Sequence, residues 1–251
     1  MQKYKAKKRF GQNFLIDNHV INKIIDNIQL KNSDEVYEIG PGLGALTKHI
    51  IEKVAKLTII EIDFNLANNF KSWQDDKLTI HLGDALKYDF SKSNNSRIVG
   101  NLPYNISTPL LFHLMKYVDN IKDMTFMLQK EVVERIISKP NNKVYGRLSV
   151  IMQMSFDVKM LFKVPAEAFK PMPKVESAII YLKPKTKITG FNYDYFAMIV
   201  KESFSKRRKT LRNCLKSIIN QNDTDIDLSK RAEMLDVNDF IILTNDYEKT
   251  I

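Results

Sequence analysis

Apolar residues recur along this chain in two rhythms. Val20, Ile21, Ile24, Ile25 and Ile28 fall at helical spacing behind Asp17 and Asn18, either of which can cap a helix. From Val36 onward short apolar runs alternate with helical stretches. VYEIG, KLTIIEID, KLTIHLGDA, SRIVGNLPY and DMTFMLQ read as buried strands. LGALTKHIIEKV, FNLANNFKSW, STPLLFHLMKYV and KEVVERII read as the helices between and after them. Strand and helix in strict alternation predict an α/β fold, with a mostly parallel sheet covered on both faces.

The alternation then breaks. KPNNKVYGR is a loop pattern and LSVIMQMSF a short buried helix. VKMLFKV and SAIIYLKP are strands separated only by a proline-punctuated loop, and are expected to pair antiparallel at the sheet edge. After the lysine-rich KPKTKITG the apolar spacing is helical only, through YDYFAMIVKESF, RRKTLRNCLKSIIN, LSKRAEMLD and VNDFIILTNDY. The expected division is a large domain over residues 1–185 and a small helical domain over 186–251.

Charge narrows the partners. The 251 residues carry a net charge of +10, which favours a polyanion, nucleic acid before an acidic membrane. Cys214 is the sole cysteine, so neither an internal disulfide nor a cysteine zinc site can form. His19, His49, His81 and His113 have no ligand spacing, and no metal is expected. The basic start MQKYKAKKR, expected to be mobile until something binds it, has no apolar run behind it and does not read as a secretion signal. No stretch is apolar enough to span a bilayer. A reduced, cytoplasmic monomer is the simplest reading.

The chemistry gathers at strand ends. EIGPGLGALT follows the first strand of the alternation, and Gly40, Gly42 and Gly44 allow a sharp turn close to a ligand. Their spacing is not that of a pyrophosphate-binding turn. Glu61 ends the second strand, where an acid can accept from both hydroxyls of a ribose, and Asp84 ends the third, where it can accept from an adenine amino group. A nucleoside without phosphates fits this set, and S-adenosylmethionine fits better than a dinucleotide.

The fourth strand ends in Asn101-Leu102-Pro103-Tyr104. An adenine amine is a poor nucleophile because its lone pair is delocalised into the ring. Two acceptors on its two hydrogens, the Asn101 side-chain carbonyl and the Leu102 backbone carbonyl, would draw the nitrogen toward tetrahedral geometry. Pro103 restricts where the Leu102 carbonyl points. Tyr104 offers a ring for an extruded base, a contact worth about 1–3 kcal/mol.

NLPYNISTPLLFHL, EIGPGLGALT, GQNFL, MLQKEVVERI, YGRLSV, FKPMPKVESAIIYL and FSKRRKTLRN together resemble the small-subunit ribosomal RNA adenine dimethyltransferases, over Phe10 to the end of the chain. The resemblance implies a Rossmann-like class I S-adenosylmethionine-dependent methyltransferase domain with a seven-stranded sheet. It implies dimethylation of two neighbouring adenosines in the 3′-terminal hairpin of small-subunit RNA, within a pre-30S-like particle. By this resemblance Asn13 and Leu15 hold or cover the cofactor's amino-acid end, with Gly40 and Gly42 beneath it. Glu61 and Ile62 then meet the ribose side, Asp84 and Ala85 the adenine, and Asn101 the point of transfer. Phe169 is implied near the target base, as a second stacking face opposite Tyr104.

Lys206, Arg207, Arg208, Lys209 and Arg212 are expected at the start of a helix, and with the N-terminal lysines and Lys139, Lys143 and Arg147 they suggest a rim for RNA phosphates. Alternatives are a large-subunit adenine methyltransferase of the macrolide-resistance type, a non-catalytic ribosome-assembly factor and a DNA adenine methyltransferase. The small domain and FSKRRKTLRN disfavour the first, the intact set Glu61, Asp84 and Asn101 the second, and the lack of a sequence-reading domain the third.

Overall fold

A computed structural model describes residues 6–7, 10–73, 75–186, 189–206 and 208–251. Arg207, and Lys3, Lys5, Lys8 and Arg9 of the basic start, lie outside the described residues. The chain divides into two compact units. The first is residues 1–133 with 159–184, and the second is 134–158 with 185–251.

In the first unit a seven-stranded sheet is built from β2 (Glu35–Ile39), β3 (Lys56–Glu61), β4 (Leu78–Leu82), β5 (Ser96–Asn101), β6 (Ile121–Gln129), β7 (Phe156–Val164) and β9 (Ser177–Pro184). Its order is β4-β3-β2-β5-β6-β9-β7. The pairs β3–β4, β2–β3, β2–β5 and β5–β6 are parallel, and β9 lies antiparallel to β6. This is the mostly parallel α/β sheet that the alternation predicts, with β7 outside β9 at the edge. The order reverses direction at β2 and β5, which opens the crevice where such sheets bind ligands. The two strands approach so closely there that a β-carbon on Gly100 would lie 2.6 Å from the Ile39 carbonyl oxygen.

Helix α1 (Asn18–Ile28) is capped by Asp17, whose Oδ1 accepts from the amides of His19 and Val20 at 2.8 and 3.1 Å. Its five expected core residues are all buried. Helices α2 (Thr47–Ile50), α3 (Phe64–Phe70) and α4 (Ser107–Leu114) follow β2, β3 and β5. The first of these is far shorter than its apolar spacing suggests, because the glycine turn runs on to Leu46. Two elements have no sequence signal at all. β1 (Phe14–Leu15) pairs antiparallel with β8 (Phe169–Lys170) and joins the N-terminal segment to the proline-rich loop.

The second unit corrects the expected cut at 185/186. Helix α5 (Lys130–Ile137) crosses the boundary, and α6 (Arg147–Ser155) packs on α7 (Tyr193–Ser203) and α9 (Val237–Glu248). Gln153 Nε2 donates to the carbonyls of Ile136 and Ser138, both at 2.7 Å, which ties α6 to the end of α5. Phe196 and Phe240 are fully buried in this unit. The RRKTLRNCLKSIIN stretch forms only the short α8 (Leu211–Cys214). The amides of Leu211 and Arg212 donate to Lys230 and Leu228 carbonyls, both at 2.8 Å, so partners outside the helix fix its first turn. LSKRAEMLD contributes a single 3₁₀ turn, Ala232–Met234.

Candidate active site

One cavity of about 300 Å³ lies in the first unit, at the carboxyl ends of β2, β3, β4 and β5. Every residue expected around a cofactor lines it: Asn13, Leu15, Gly40, Gly42, Glu61, Ile62, Asp84, Ala85 and Asn101. Its size falls in the range of small-molecule sites. Gly42 has φ +58°, and a β-carbon there would meet the Phe14 ring at 3.1 Å. The glycine thus serves both the turn and the approach of the N-terminal segment.

Glu61 is 4% exposed at the end of β3. Its Oε1 accepts from the Asp63 amide at 2.9 Å, and its Oε2 faces the Gly42 amide at 3.4 Å. Burial raises its pKa, and these amides, with that of Ile62, temper the shift. Asp84 is half-buried, with Oδ1 accepting from the Leu86 amide at 2.9 Å. Ile62, 48% exposed, presents an apolar side chain beside Glu61.

Glu38 also lines the cavity, although sequence reasoning did not single it out. It is 2% exposed, and among the described residues neither its Oε2 nor Thr47 Oγ1 completes a hydrogen bond. Burial, reinforced by the charge of Glu61, pushes its pKa up to about 8 despite the nearby Thr47 hydroxyl. The signal was present as a lone acid inside the apolar VYEIG run. Nothing in one dimension distinguishes such an acid from one at an exposed edge.

At the end of β5, Asn101 Nδ2 donates to the Asn13 backbone carbonyl at 2.9 Å. The amide's oxygen is therefore the end left to accept. Asn101, Leu102 and Pro103 line the cavity. The Pro103 carbonyl accepts from the Ile106 amide and from Ser107 Oγ, both at 3.1 Å, which locks the turn after Leu102. Tyr104 is half-buried, and its hydroxyl bonds Ser177 Oγ at 2.8 Å. Tyr104 and Phe169 are not lining residues. Phe169 is 3% exposed, because the β1–β8 pairing seats it in the core beside Leu15.

Two of the three expected parts of the basic rim belong to the second unit. Lys206, Arg208, Lys209 and Arg212 are exposed, and Lys206, Arg208 and Lys209 sit in turns and bends before α8 rather than in a helix. Arg147, at the start of α6, is exposed, as are Lys139 and Lys143. The contact pattern thus puts these two parts of the expected basic rim in one unit and Lys7, of the basic start, in the other. Among the described residues no group of three or more His, Cys, Asp or Glu could hold a metal, and no helix is long and apolar enough to cross a membrane.

The site's donor set can be tested against its implied ligand. Glu38, Glu61 and Asp84 suit hydroxyls, an amine or an ammonium, and they would repel a phosphate. Ile62, Ala85 and Leu15 supply apolar walls. This chemistry fits S-adenosylmethionine.

Comparison with known proteins gives the same class. The family described as ribosomal RNA adenine dimethylase matches residues 3–246. The chain is 48% identical to ribosomal RNA small subunit methyltransferase A of Francisella tularensis subsp. novicida, covering 97% of this chain and 98% of that one. The solved dimethyladenosine transferase of Plasmodium falciparum superposes with a TM-score of 0.81 at 28% identity, over 94% of this chain and 98% of that one. The 23S rRNA methyltransferase ErmE shares the fold, with a TM-score of 0.74 at 22% identity over 94% of this chain and all of that one (100%).

Proposed function

The chain belongs to the ribosomal RNA adenine dimethylase family, and from that premise we propose that it dimethylates the 6-amino groups of two adjacent adenosines in the 3′-terminal hairpin of small-subunit ribosomal RNA. It is a class I methyltransferase fold with the enzyme activity of its family. When bound, S-adenosylmethionine supplies an electrophilic methyl group on a sulfonium.

The chain's own residues do the rest. Glu61 accepts from the ribose, beside the apolar side chain of Ile62, and Asp84 and Ala85 bracket the adenine. Asn13, Leu15, Gly40 and Gly42 surround the amino-acid end, and Glu38 suits a cationic group there. Asn101 Oδ1 and the Leu102 carbonyl accept from the target amine and aim its lone pair, while Tyr104 offers the face on which the base stacks. Positioning and polarisation carry the rate, and no strong base is required. The observation that carries this reading is the Asn101–Asn13 bond, which leaves the amide oxygen as the free end.

The exposed cations Lys206, Arg208, Lys209, Arg212 and Arg147 are read as contacts to RNA phosphates in a small-subunit particle, which puts the work in the cytoplasm.

Labelled methyl transfer to undermethylated small subunits, followed by nucleoside analysis, tests the proposal. Dimethyladenosine is the expected product. Monomethyladenosine alone, or preference for protein-free large-subunit RNA, would overturn it. In the same assay, reversing the charge of Arg208 and Arg212 should flatten the dependence on salt, and an unchanged slope would move the RNA face elsewhere.

A further inference from the structure

The segment that forms one wall of the cavity is also pinned outside it. Lys7 Nζ lies 2.8 Å from each carboxylate oxygen of Asp63. Gln12 touches both partners, its Oε1 accepting from the Lys7 amide at 2.8 Å and its Nε2 reaching Asp63 Oδ2 at 3.4 Å. This is not an ordinary surface pair, because the Asp63 side chain is 1% exposed and that of Lys7 32%.

Asp63 has two further duties. Its Oδ1 accepts from the Asn65 amide and caps α3, and its own amide donates to Glu61 Oε1 at 2.9 Å. One residue therefore joins the N-terminal segment, a helix start and the acid expected to take the ribose. Beyond Gln12 the segment contributes Asn13, Phe14 and Leu15 to the cavity, and its far end is held by the Asn101–Asn13 bond and the β1–β8 pairing.

We propose that the Lys7–Asp63 pair is a latch that sets how long the cofactor stays bound. The inference rests on the cofactor reading above. A nucleoside-sized ligand under this wall leaves when the wall moves. Moving it separates a half-buried charge pair whose carboxylate cannot easily be rehydrated in place. Lys7 and Asp63 are positioning residues, acting through the wall and through Glu61, and neither touches the reacting atoms.

The test uses the full chain and S-adenosylhomocysteine, the unreactive product, with release followed by stopped-flow chase. Lys7→Met should release it about tenfold faster, equivalent to about 1.4 kcal/mol. Lys7→Arg should restore the slow release. Raising salt should speed release from the unsubstituted protein more than from Lys7→Met, since the variant lacks this pair. Equal release rates with equal salt responses would overturn the latch. So would faster release from Asp63→Asn with release from Lys7→Met unchanged, which would place the effect in Asp63 apart from its pairing with Lys7. If the unsubstituted protein binds no S-adenosylhomocysteine, the cofactor reading itself fails and takes the latch with it.

Discussion

The two ends of the central sheet are built on opposite electrostatic plans. Where β2, β5 and β6 begin, charges are buried and fully paired. Arg97 uses all five of its N–H groups: Nε and Nη2 on Asp123 at 2.9 and 3.0 Å, Nη1 on Asp34 at 3.0 Å, and the other two on the carbonyls of Gln29 and Ile28 at 3.1 and 2.6 Å. Lys122 Nζ closes the set on Asp34 at 2.7 Å. Burial alone would raise the pKa of Asp34, but Lys122, the Lys31 amide and Arg97 outweigh it and hold it low. Where β2 and β3 end, Glu38 and Glu61 are buried without a salt-bridge partner among the described residues, and both pKa values are raised. The paired end is finished as it stands. At the other end buried carboxylates rest on backbone amides or, at Glu38 Oε2, on no partner among the described residues.

The largest effect that would sharpen this contrast is at the paired end. Arg97→Met leaves two buried carboxylates short of their main partner and should cost about 3–5 kcal/mol of unfolding free energy. Chemical denaturation measures it. A loss near zero would mean that the network is ornamental and the contrast mistaken.

A smaller effect is expected at the ligand-facing end, and it depends on pH. A carboxyl with a folded pKa of about 8 keeps its proton where the unfolded chain has lost it. Its contribution to stability is therefore greatest at low pH and declines as pH rises from the ordinary carboxylate range, about 4.3, toward 8. Glu38→Gln removes that decline. Relative to the unsubstituted protein, the variant should gain on the order of 3 kcal/mol between pH 5 and pH 8. Parallel stability profiles would show that Glu38 is charged and paired, and the two ends would no longer differ.

The sequence made some of this plain and hid the rest for physical reasons. The buried face of α1 was legible because five apolar residues repeat at one period. Glu61, Asp84 and Asn101 were legible because each ends a recognisable strand, and the structure brings them to one cavity. β1 and β8 were not, since a two-residue pairing has no period to read. The helix expected over RRKTLRNCLKSIIN shrank to four residues because backbone partners at Leu228 and Lys230 hold its start, and no local pattern encodes them. The KPKTKITG linker marked one chain crossing between units, but the membership of 134–158 is set by packing against α7 and α9, 35 or more residues further along the chain. Phe169 looked available by resemblance and is buried by a pairing that spacing could not reveal.

The central claim is that the ligand-facing end aims an amine with the Asn101 oxygen rather than merely holding a cofactor. The most direct measurement is on Asn101→Ala, with single-turnover methyl transfer and S-adenosylmethionine affinity determined on the same preparation. The account predicts that transfer falls by about 10²–10³-fold while affinity changes only a few fold. Transfer and affinity falling together, or transfer surviving, would contradict it.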